Sequence, residues 1–432
     1  MNTKYETLHE MKHYLILWAT QLLSGLGSAM TAYALVIWSY TQEGSALKTA
    51  LLMVCSYTPY VLLSLFAGAL SERWNKKRTL LVCDALCALS TLAVLYLLRN
   101  GSLRVWHLYM INAFSGLMNT VQQPASELAT TALLPKKHYQ RVGSLRYFSN
   151  SVSSILTPII ATAVLGLWGM DAVIALDLGS FLLAFAVLFF FVPIPEDGEK
   201  SPKSEKLLCA VRQGLEWLRE NRGILRLILF FACINFVASI YNAAFPALML
   251  SKPEGGQWAM GTVNAVVGLS SLVGSVAASF MKAPKSRVRA IWLCLMLSMS
   301  TQNFTLAFGK GLPIWCAGAV LGWIALPYMS ANLDALLRLN IPENIQGRVF
   351  AARNSLQFFT IPMGYFAGGL LVDRVFEPFM AAQPRGGLLC RLFGGGKGSG
   401  AAMLFALLWL AGMGVCLVFR GDKHIREIEN KT

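Results

Sequence analysis

Runs of about 20 apolar residues recur along the whole chain, separated by short polar segments, and no other feature constrains the fold as strongly. A helix needs about 20 such residues to cross the hydrocarbon core of a bilayer. Of the 432 residues, 55% are hydrophobic and 14% are charged, and the mean hydropathy is +0.53. This composition leaves too few polar residues to cover a water-soluble globule. The sequence therefore predicts an all-α membrane protein.

Twelve of these runs can be counted in the sequence, and each is predicted to cross the membrane as a helix. Six precede and six follow a charged segment at 193–223, so the predicted domains are 1–192, the linker 193–223 and 224–432. In the linker, Leu207, Val211, Leu215 and Leu218 recur at helical spacing, which predicts an amphipathic helix lying on the membrane surface. The predicted spans are 14–39, 49–70, 79–98, 105–127, 146–168, 172–192, 224–250, 258–281, 288–308, 313–337, 350–372 and 400–420.

The positive charges are distributed unequally between alternate polar segments. With both termini in the cytoplasm, 28 of the 37 Lys and Arg residues lie inside and nine lie outside. Basic segments resist translocation, so we expect this orientation in a bacterial cytoplasmic membrane. The net charge of +15 is then a consequence of topology, and nucleic acid is not an expected partner because the cations form no single surface. The expected partners are a small-molecule substrate and the lipid bilayer, and we expect a monomer.

Catalysis and metal binding are not expected from this sequence. The nine cysteines are scattered, with neither zinc-ligand spacing nor a disulfide framework. The sequence contains no nucleotide-binding glycine loop, and no nucleophile or metal constellation stands out. The first apolar run lacks a cleavage site at a suitable distance and is expected to remain as the first helix. We therefore expect no cofactor, with a proton gradient as the energy source.

The segment GALSERWNKKR at 68–78 places five charged residues between two apolar runs. Its order resembles the loop between the second and third helices of the major facilitator superfamily, with Glu72 where that family has Asp and Asn75 where it has Gly. The segments LWATQLLS at 17–24, QPA at 123–125 and IPENIQGRVFA at 341–351 also resemble this family. They are most similar to its bacterial drug and siderophore efflux branch, which includes macrolide exporters and the enterobactin exporter.

The resemblance implies two six-helix bundles related by pseudo-symmetry, with a substrate cavity between them. It also implies that the basic segment is a conformational gate, in which Gly68 allows close helix packing and a charge network joins Glu72, Arg73, Lys77 and Asp84. The alternative is that these charges only determine topology and face water. Acidic residues are not needed for a topology determinant, which favours the gate.

Few ionisable residues lie within the predicted spans, and each is a functional candidate because charge is costly in hydrocarbon. Asp177, in the sixth span, is the main candidate for carrying a proton; the alternative is a structural acid near the interface. Glu127 and Asp334 lie near the cytoplasmic ends of the fourth and tenth spans, where a gating or structural role is favoured. The proton-antiporter motif in the fifth span has Thr157 before Pro158, where the family has Gly.

Polar residues on otherwise apolar spans are expected to face protein or water, and some of them line the cavity. Ordinary hydrogen bonds between helices account for others. The function expected is efflux of bulky amphipathic compounds such as macrolides by proton antiport. Export of a siderophore or peptide natural product, lysolipid flipping, and a membrane receptor or scaffold without transport remain alternatives. The cavity candidates are Gln21, Tyr33, Asn112, Asn119, Gln122, Asn235, Tyr241, Asn242, Asn332 and Gln357.

Overall fold

A computed structural model of the chain describes residues 2–71, 74–133, 139–194, 207–342, 345–384 and 387–428. The described residues form helices, with turns between them and no strand. The helices are α1 Asn2–Glu43, α2 Ala46–Ser71, α3 Lys76–Arg99, α4 Val105–Leu133, α5 Tyr139–Phe191, α6 Leu207–Glu220, α7 Arg222–Ser251, α8 Gln257–Phe280, α9 Arg287–Phe308, α10 Leu312–Trp323, α11 Leu326–Asn340, α12 Gln346–Phe358, α13 Thr360–Leu370, a π-helical turn Leu371–Phe376, α14 Glu377–Ala381, α15 Leu388–Phe393, α16 Ser399–Arg420 and α17 Lys423–Glu427.

Ten helical stretches among the described residues are long and apolar enough to cross a membrane. One of them, Phe148–Phe191, has 44 residues, about twice the length that one crossing needs. It contains the non-helical residue Gly169, at φ 79° and ψ −175°, so it accommodates two crossings. Helix α4, with 29 residues, is also long enough to span. With these two additions, the helices agree with the twelve predicted spans.

Two predicted spans are interrupted in the structure. The tenth span is divided into α10 and α11, with Pro327 at the start of α11. The eleventh is divided into α12, α13 and the π-helical turn. Proline removes one backbone hydrogen bond, and neighbouring helices can satisfy the carbonyl that it frees. The break at Pro327 is therefore compatible with a membrane span.

The chain separates into two compact units. Unit 1 comprises residues 1–35 and 55–207, and unit 2 comprises residues 36–54 and 208–432. The hairpin between α1 and α2 thus packs with unit 2, whereas the remainder of those two helices packs in unit 1. The predicted division into 1–192 and 224–432 stays a prediction based on the order of the spans.

Within each unit, two helices cross at a glycine. A Cβ atom on Gly116 of α4 would lie 2.1 Å from the carbonyl oxygen of Ser56 in α2. A Cβ atom on Gly274 of α8 would lie 2.0 Å from the carbonyl oxygen of Ile324, which follows α10. Only glycine permits so close an approach between backbones. The pairs α2 with α4 and α8 with α10 hold corresponding places in the two predicted sets of six spans, so the same crossing occurs in both.

The linker contains helix α6, as its hydrophobic spacing predicted. One face of this helix is buried within unit 2. Leu218 is fully buried in a cluster with residues of α7, α9, α11, α16 and α17, whereas Leu215 is 41% exposed. Next to this cluster, Arg226 of α7 donates a hydrogen bond of 2.7 Å from Nη1 to Oδ2 of Asp422. The other carboxylate oxygen of Asp422 accepts from the backbone N–H of His424 at 2.9 Å, and so caps α17. Asp422 therefore connects the start of α7 to the last helix.

We expect substitutions of Asp422 to lower the stability of unit 2 in a graded and pH-dependent way. Desolvation raises the pKa of Asp422, but the hydrogen bond from Arg226 and the backbone N–H of His424 outweigh it and hold the pKa below its usual value. The ionised carboxylate therefore stabilises the fold at neutral pH, and this stabilisation is lost as pH falls below about 4. Asp422→Asn removes the charge and keeps a capping side chain, whereas Asp422→Ala also removes the cap, at an additional cost of about 1 kcal/mol.

Thermal unfolding of the detergent-solubilised protein measures this effect. The melting temperature should decrease from wild type to Asp422→Asn to Asp422→Ala at pH 7. The difference between wild type and Asp422→Asn should shrink as pH falls below about 4. A constant difference across that range would contradict the assigned contribution of the carboxylate.

Candidate functional site

Lys77 connects the start of α3 to the end of α5. Asn75 caps α3 by accepting from the backbone N–H of Arg78 at 2.8 Å. The Nζ of Lys77 donates to the carbonyl oxygens of Phe189 at 3.0 Å and Val192 at 2.9 Å. Carbonyl groups at a helix C-terminus have no partner within the helix and carry partial negative charge, so an ammonium group is stabilised there.

The hydrogen bonds of Lys77 that the structure describes involve no other member of the predicted gate. Glu72 and Arg73 lie outside the described residues. Gly68 lies in α2, beyond the last side chain that the structure describes on that helix. Asp84 lies seven residues after Lys77 on α3, about 10 Å further along the helix axis. The gate network as a whole stays a prediction.

Asp84 instead lies between two predicted cavity residues. Its Oδ1 accepts a hydrogen bond from Nε2 of Gln122 in α4 at 2.5 Å. Its Oδ2 accepts from Nε2 of Gln21 in α1 at 3.4 Å. The carboxylate is half-buried and is held by amides from two other helices. The structure therefore brings together three residues that the sequence assigned to two separate roles.

Asp177 is buried between α1 and the second part of α5, and only 3% of it is exposed. Its Oδ1 accepts from the hydroxyl of Ser28 at 2.9 Å. A Cβ atom on Gly27 would lie 2.9 Å from the Cα atom of Asp177, so the glycine allows α1 to approach α5 at this point. The main candidate for proton carriage is thus inside unit 1 and away from lipid.

The other two acidic candidates differ from Asp177. Glu127 lies in α4, where its side chain is outside the described part of the chain. The Asp334 side chain on α11 is 51% exposed, and one of its oxygens lies 3.9 Å from Nη1 of Arg353. Arg353 also donates from Nε to Oε1 of Gln357 at 3.1 Å. An exposed acid with a distant ion pair contributes little to stability, and the gating or structural role of Asp334 stays a prediction.

Unit 2 contains a polar cluster around Gln302 of α9, a residue that the sequence analysis did not select. Nε2 of Gln302 donates to the hydroxyl of Tyr241 in α7, and Oε1 accepts from the indole N–H of Trp323 in α10. Gln302 is 4% exposed. The signal in the sequence was the adjacent pair Gln302 and Asn303 within an apolar span, because two buried amides need partners on neighbouring helices.

A cavity of about 180 Å³ adjoins this cluster and lies between α7, α9 and the α10–α11 segment. Its wall combines apolar side chains such as Phe231 and Met299 with the polar groups of Asn235, Tyr241 and Gln302. Asn303 also lines the cavity, and its buried Oδ1 has no hydrogen-bond partner among the described residues. The cavity therefore offers an apolar surface with an acceptor that a bound hydroxyl, amine or water can satisfy.

Other predicted cavity residues make contacts within their own helices or line the cavity of unit 2. Asn112 donates to the carbonyl of Leu108 in its own helix at 2.8 Å, and Asn332 donates to the carbonyl of Tyr328 in its own helix at 2.9 Å. Asn235 of α7 donates to the backbone carbonyl of Gln357 at 3.3 Å. Asn242 also lines the cavity next to Gln302, whereas Tyr33 is half-buried and Asn119 is exposed.

The π-helical turn carries an acid that caps a helix of the α1–α2 hairpin. Asp373 accepts from the backbone N–H groups of Ala46 and Leu47, both at 2.9 Å, and from the hydroxyl of Ser45 at 2.5 Å. The acid four residues later, Glu377, accepts from the backbone N–H groups of Gly398 at 3.0 Å and Ala401 at 3.2 Å. Carboxylates are favoured at helix N-termini because free N–H groups and the helix dipole meet there. This segment thus holds the first turns of α2 and α16.

Comparison with known proteins identifies the class of this chain. Residues 17–365 match the Major Facilitator Superfamily. The chain therefore belongs to this family of membrane transporters, as the loop at 68–78 and the order of spans predicted. Family membership indicates transport rather than catalysis.

Several relatives are named efflux proteins. The chain is 23% identical to macrolide efflux protein A of Streptococcus pyogenes over 369 residues, which cover 85% of this chain and 90% of the relative. It is 25% identical to the multidrug efflux pump Tap of Mycolicibacterium fortuitum over 375 residues, or 83% and 88% of the two chains. The enterobactin exporter EntS of Salmonella typhi is 24% identical over 298 residues, or 65% and 67%.

Solved transporter structures share the fold. A bacterial homologue of the iron transporter ferroportin, in an inward-facing state, has a TM-score of 0.70 at 15% identity, covering 95% of this chain and 98% of that chain. The nucleoside transporter NupG has a TM-score of 0.69 at 11% identity, covering 96% and 100%. At these identities the likeness establishes the fold alone.

We expect Gln302→Leu to destabilise unit 2, because it leaves the Trp323 N–H and the Tyr241 hydroxyl without their amide partner. Each buried polar group left unpaired costs about 1 to 3 kcal/mol. The control is Thr301→Val, because the hydroxyl of Thr301 donates to the carbonyl of Leu297 within its own helix. Thermal unfolding in detergent should show a clear loss for Gln302→Leu alone. Equal melting temperatures for the two variants would contradict the role given to the amide.

We expect the two acids of the π-helical segment to protect different helix starts from hydrogen exchange. Asp373→Ala removes the acceptor of the N–H groups of Ala46 and Leu47, while Glu377→Ala removes that of Gly398 and Ala401. Loss of a cap costs about 1 kcal/mol, so amide exchange should accelerate at one helix start in each variant and not at the other. Hydrogen exchange is measured by mass spectrometry on both variants, and each variant serves as the control for the other. Acceleration at both sites in either variant would indicate general loosening of the unit instead.

Proposed function

We propose that this transporter is a secondary active exporter of bulky amphipathic compounds of the macrolide kind, and that it works by alternating access with proton antiport. The main support is the set of relatives named macrolide and multidrug efflux proteins, which match over 83% to 85% of the chain. The proposed setting is a bacterial cytoplasmic membrane, with both termini in the cytoplasm, since the basic segments are then inside. The working unit is a monomer.

Asp177 is the proposed proton carrier. An ionised carboxylate is costly within an apolar span, and the neutral hydroxyl of Ser28 gives it a hydrogen bond but no compensating charge. Protonation removes this cost, so the carboxyl group of Asp177 favours the protonated form within the span. It can exchange its proton when water reaches it. Its position between α1 and the second part of α5 couples the proton to the packing of these helices.

The proposed substrate contacts include the polar cluster of unit 2. Tyr241 offers an aromatic face, and Gln302 and Asn303 offer amide groups beside the 180 Å³ cavity. An apolar wall with a few oriented polar groups is typical of sites for amphipathic ligands. A volume of this size accommodates part of a bulky compound rather than all of it, so the cavity serves as a subsite.

The contacts of Asp373 are proposed to open during release. In the proposed orientation the α1–α2 hairpin lies at the extracellular end of the protein. Hydrogen bonds that N–H groups at a helix start donate to a carboxylate can be replaced by bonds to water with a small change in free energy. Such contacts suit an interface that opens and closes in every cycle.

A siderophore or peptide natural product is the second candidate substrate class. The observation that favours it is the match to the enterobactin exporter EntS, although this match covers only 65% of the chain. Accumulation assays separate the candidates when cells with and without the protein are given a macrolide, a siderophore or a labelled lysolipid, each with and without an uncoupler. The proposal requires lower accumulation of the macrolide in expressing cells, and the uncoupler should abolish the difference.

We expect Asp177→Asn to uncouple export from the proton gradient. Asparagine has similar size and can still bond to Ser28, but it cannot take up a proton. The control is Asp171→Asn, which changes an exposed acid paired with Arg99. Macrolide accumulation in cells expressing Asp177→Asn should resemble that of uncoupler-treated wild-type cells at equal protein levels, while the control behaves as wild type. Unchanged pH dependence of export in Asp177→Asn would remove this residue from the mechanism.

A further inference from the structure

The site around Asp84 is not explained by the gate or by Asp177. Among the described residues, its carboxylate accepts hydrogen bonds from the amides of Gln21 and Gln122. None of the ion pairs between described residues includes it. It lies within an apolar helix, about 12 Å from the first residue of α3. The Asp84 carboxylate thus lies well inside an apolar helix, and its hydrogen-bond partners are uncharged.

A purely structural role does not require a carboxylate at this position. Asparagine would bond to the two glutamines, as acceptor and donor, without a charge in hydrocarbon. Amide N–H groups partly stabilise an ionised carboxylate, but they leave its net charge uncompensated. Each glutamine also has an amide oxygen that can accept a hydrogen bond from a cation next to the carboxylate. The three side chains together thus provide several oxygen acceptors around one negative charge.

The site lies on the same face of α1 as the contact to Asp177. Gln21 and Ser28 are seven residues apart, which places them on one face, about 10 Å apart along the axis. The first holds Asp84 of α3 and the second holds Asp177 of α5. Two carboxylates of unit 1 thus lie at different depths beside one polar face of α1.

We propose that Asp84, with Gln21 and Gln122, is a cation-binding site that recognises the protonated amine of a substrate. The ammonium N–H groups donate to the carboxylate and to the two amide oxygens, while the apolar part of the substrate lies along the adjacent side chains. No covalent bond changes and no proton moves in this step. The site gives the transporter a preference for cationic over neutral amphipathic compounds. This inference rests on the proposed efflux function. A proton is the other cation that the same chemistry could bind, and the test separates the two.

The test compares a naphthylalkylamine with the naphthyl alcohol of the same chain length, which differ in charge and share their apolar part. Binding to the purified protein in nanodiscs is measured by calorimetry for wild type, Asp84→Asn, Asp84→Glu and the control Asp171→Asn. We expect the amine to lose affinity by about tenfold in Asp84→Asn, because a hydrogen bond to a charged group is lost. The alcohol should be unaffected, and Asp84→Glu should retain the preference for the amine.

Each outcome decides the question. Loss of affinity for the amine alone supports ammonium recognition. No selective loss, together with a lost pH dependence of export for both compounds, overturns it in favour of a proton site. Equal binding and export by Asp84→Asn and wild type overturns any cation site and leaves a structural hydrogen bond. Binding in nanodiscs does not require transport, so a wild-type protein that fails to export the panel contradicts the proposed function while the site is still tested.

Discussion

The cost of placing unpaired polar groups in hydrocarbon determines most of this structure. It requires that backbone groups be satisfied within helices, which explains why the described residues are helical throughout the apolar runs. The same cost applies to side chains. Asp84, Asp177 and Gln302 all find partners on other helices, so each polar group in a span also fixes a contact between helices. Polar residues therefore have a double role here, because they specify packing and they mark places where a ligand can exchange with a protein partner.

Packing between helices cannot rely on the hydrophobic effect in lipid, since the tails are as apolar as the side chains. Close backbone approach takes its place, and the crossings at Gly116 and Gly274 are examples. In the first set of six spans, the glycine lies on the fourth span. In the second set, it lies on the eighth span, which corresponds to the second span of the first set. The geometry of the crossing is thus repeated while the residue that permits it is not. A pseudo-symmetric fold can keep a backbone arrangement although the two halves share little sequence.

Much of the architecture could be predicted from the sequence, because the length of an apolar run is set directly by the thickness of the bilayer. The family resemblance was likewise carried by short contiguous segments.

The partners of individual residues could not be predicted in this way. The family resemblance implied one charge network containing Lys77 and Asp84, but the partners of a side chain depend on which helices pack against its face. The role of Gln302 was missed because its partners, Tyr241 and Trp323, are 61 and 21 residues away. The π-helical turn at Leu371–Phe376 has no clear pattern in sequence, and it decides where Asp373 and Glu377 point.

The two units differ in the chemistry of their interiors. In unit 1, the described acids Asp84 and Asp177 lie within apolar helices, and each accepts hydrogen bonds from neutral donors. The described cluster of unit 2 around Gln302 is built from amides and aromatic rings. Acids respond to protons and cations, whereas amides and aromatic rings bind amphipathic groups at any pH. A transporter built from two such halves can therefore have its proton coupling and its preference for cationic compounds in one half. The surface that binds the amphipathic part of the substrate can then lie in the other half. In the proposed mechanism, changes to the surface of unit 2 would alter the range of compounds without disturbing proton coupling in unit 1, as export of chemically varied substrates requires.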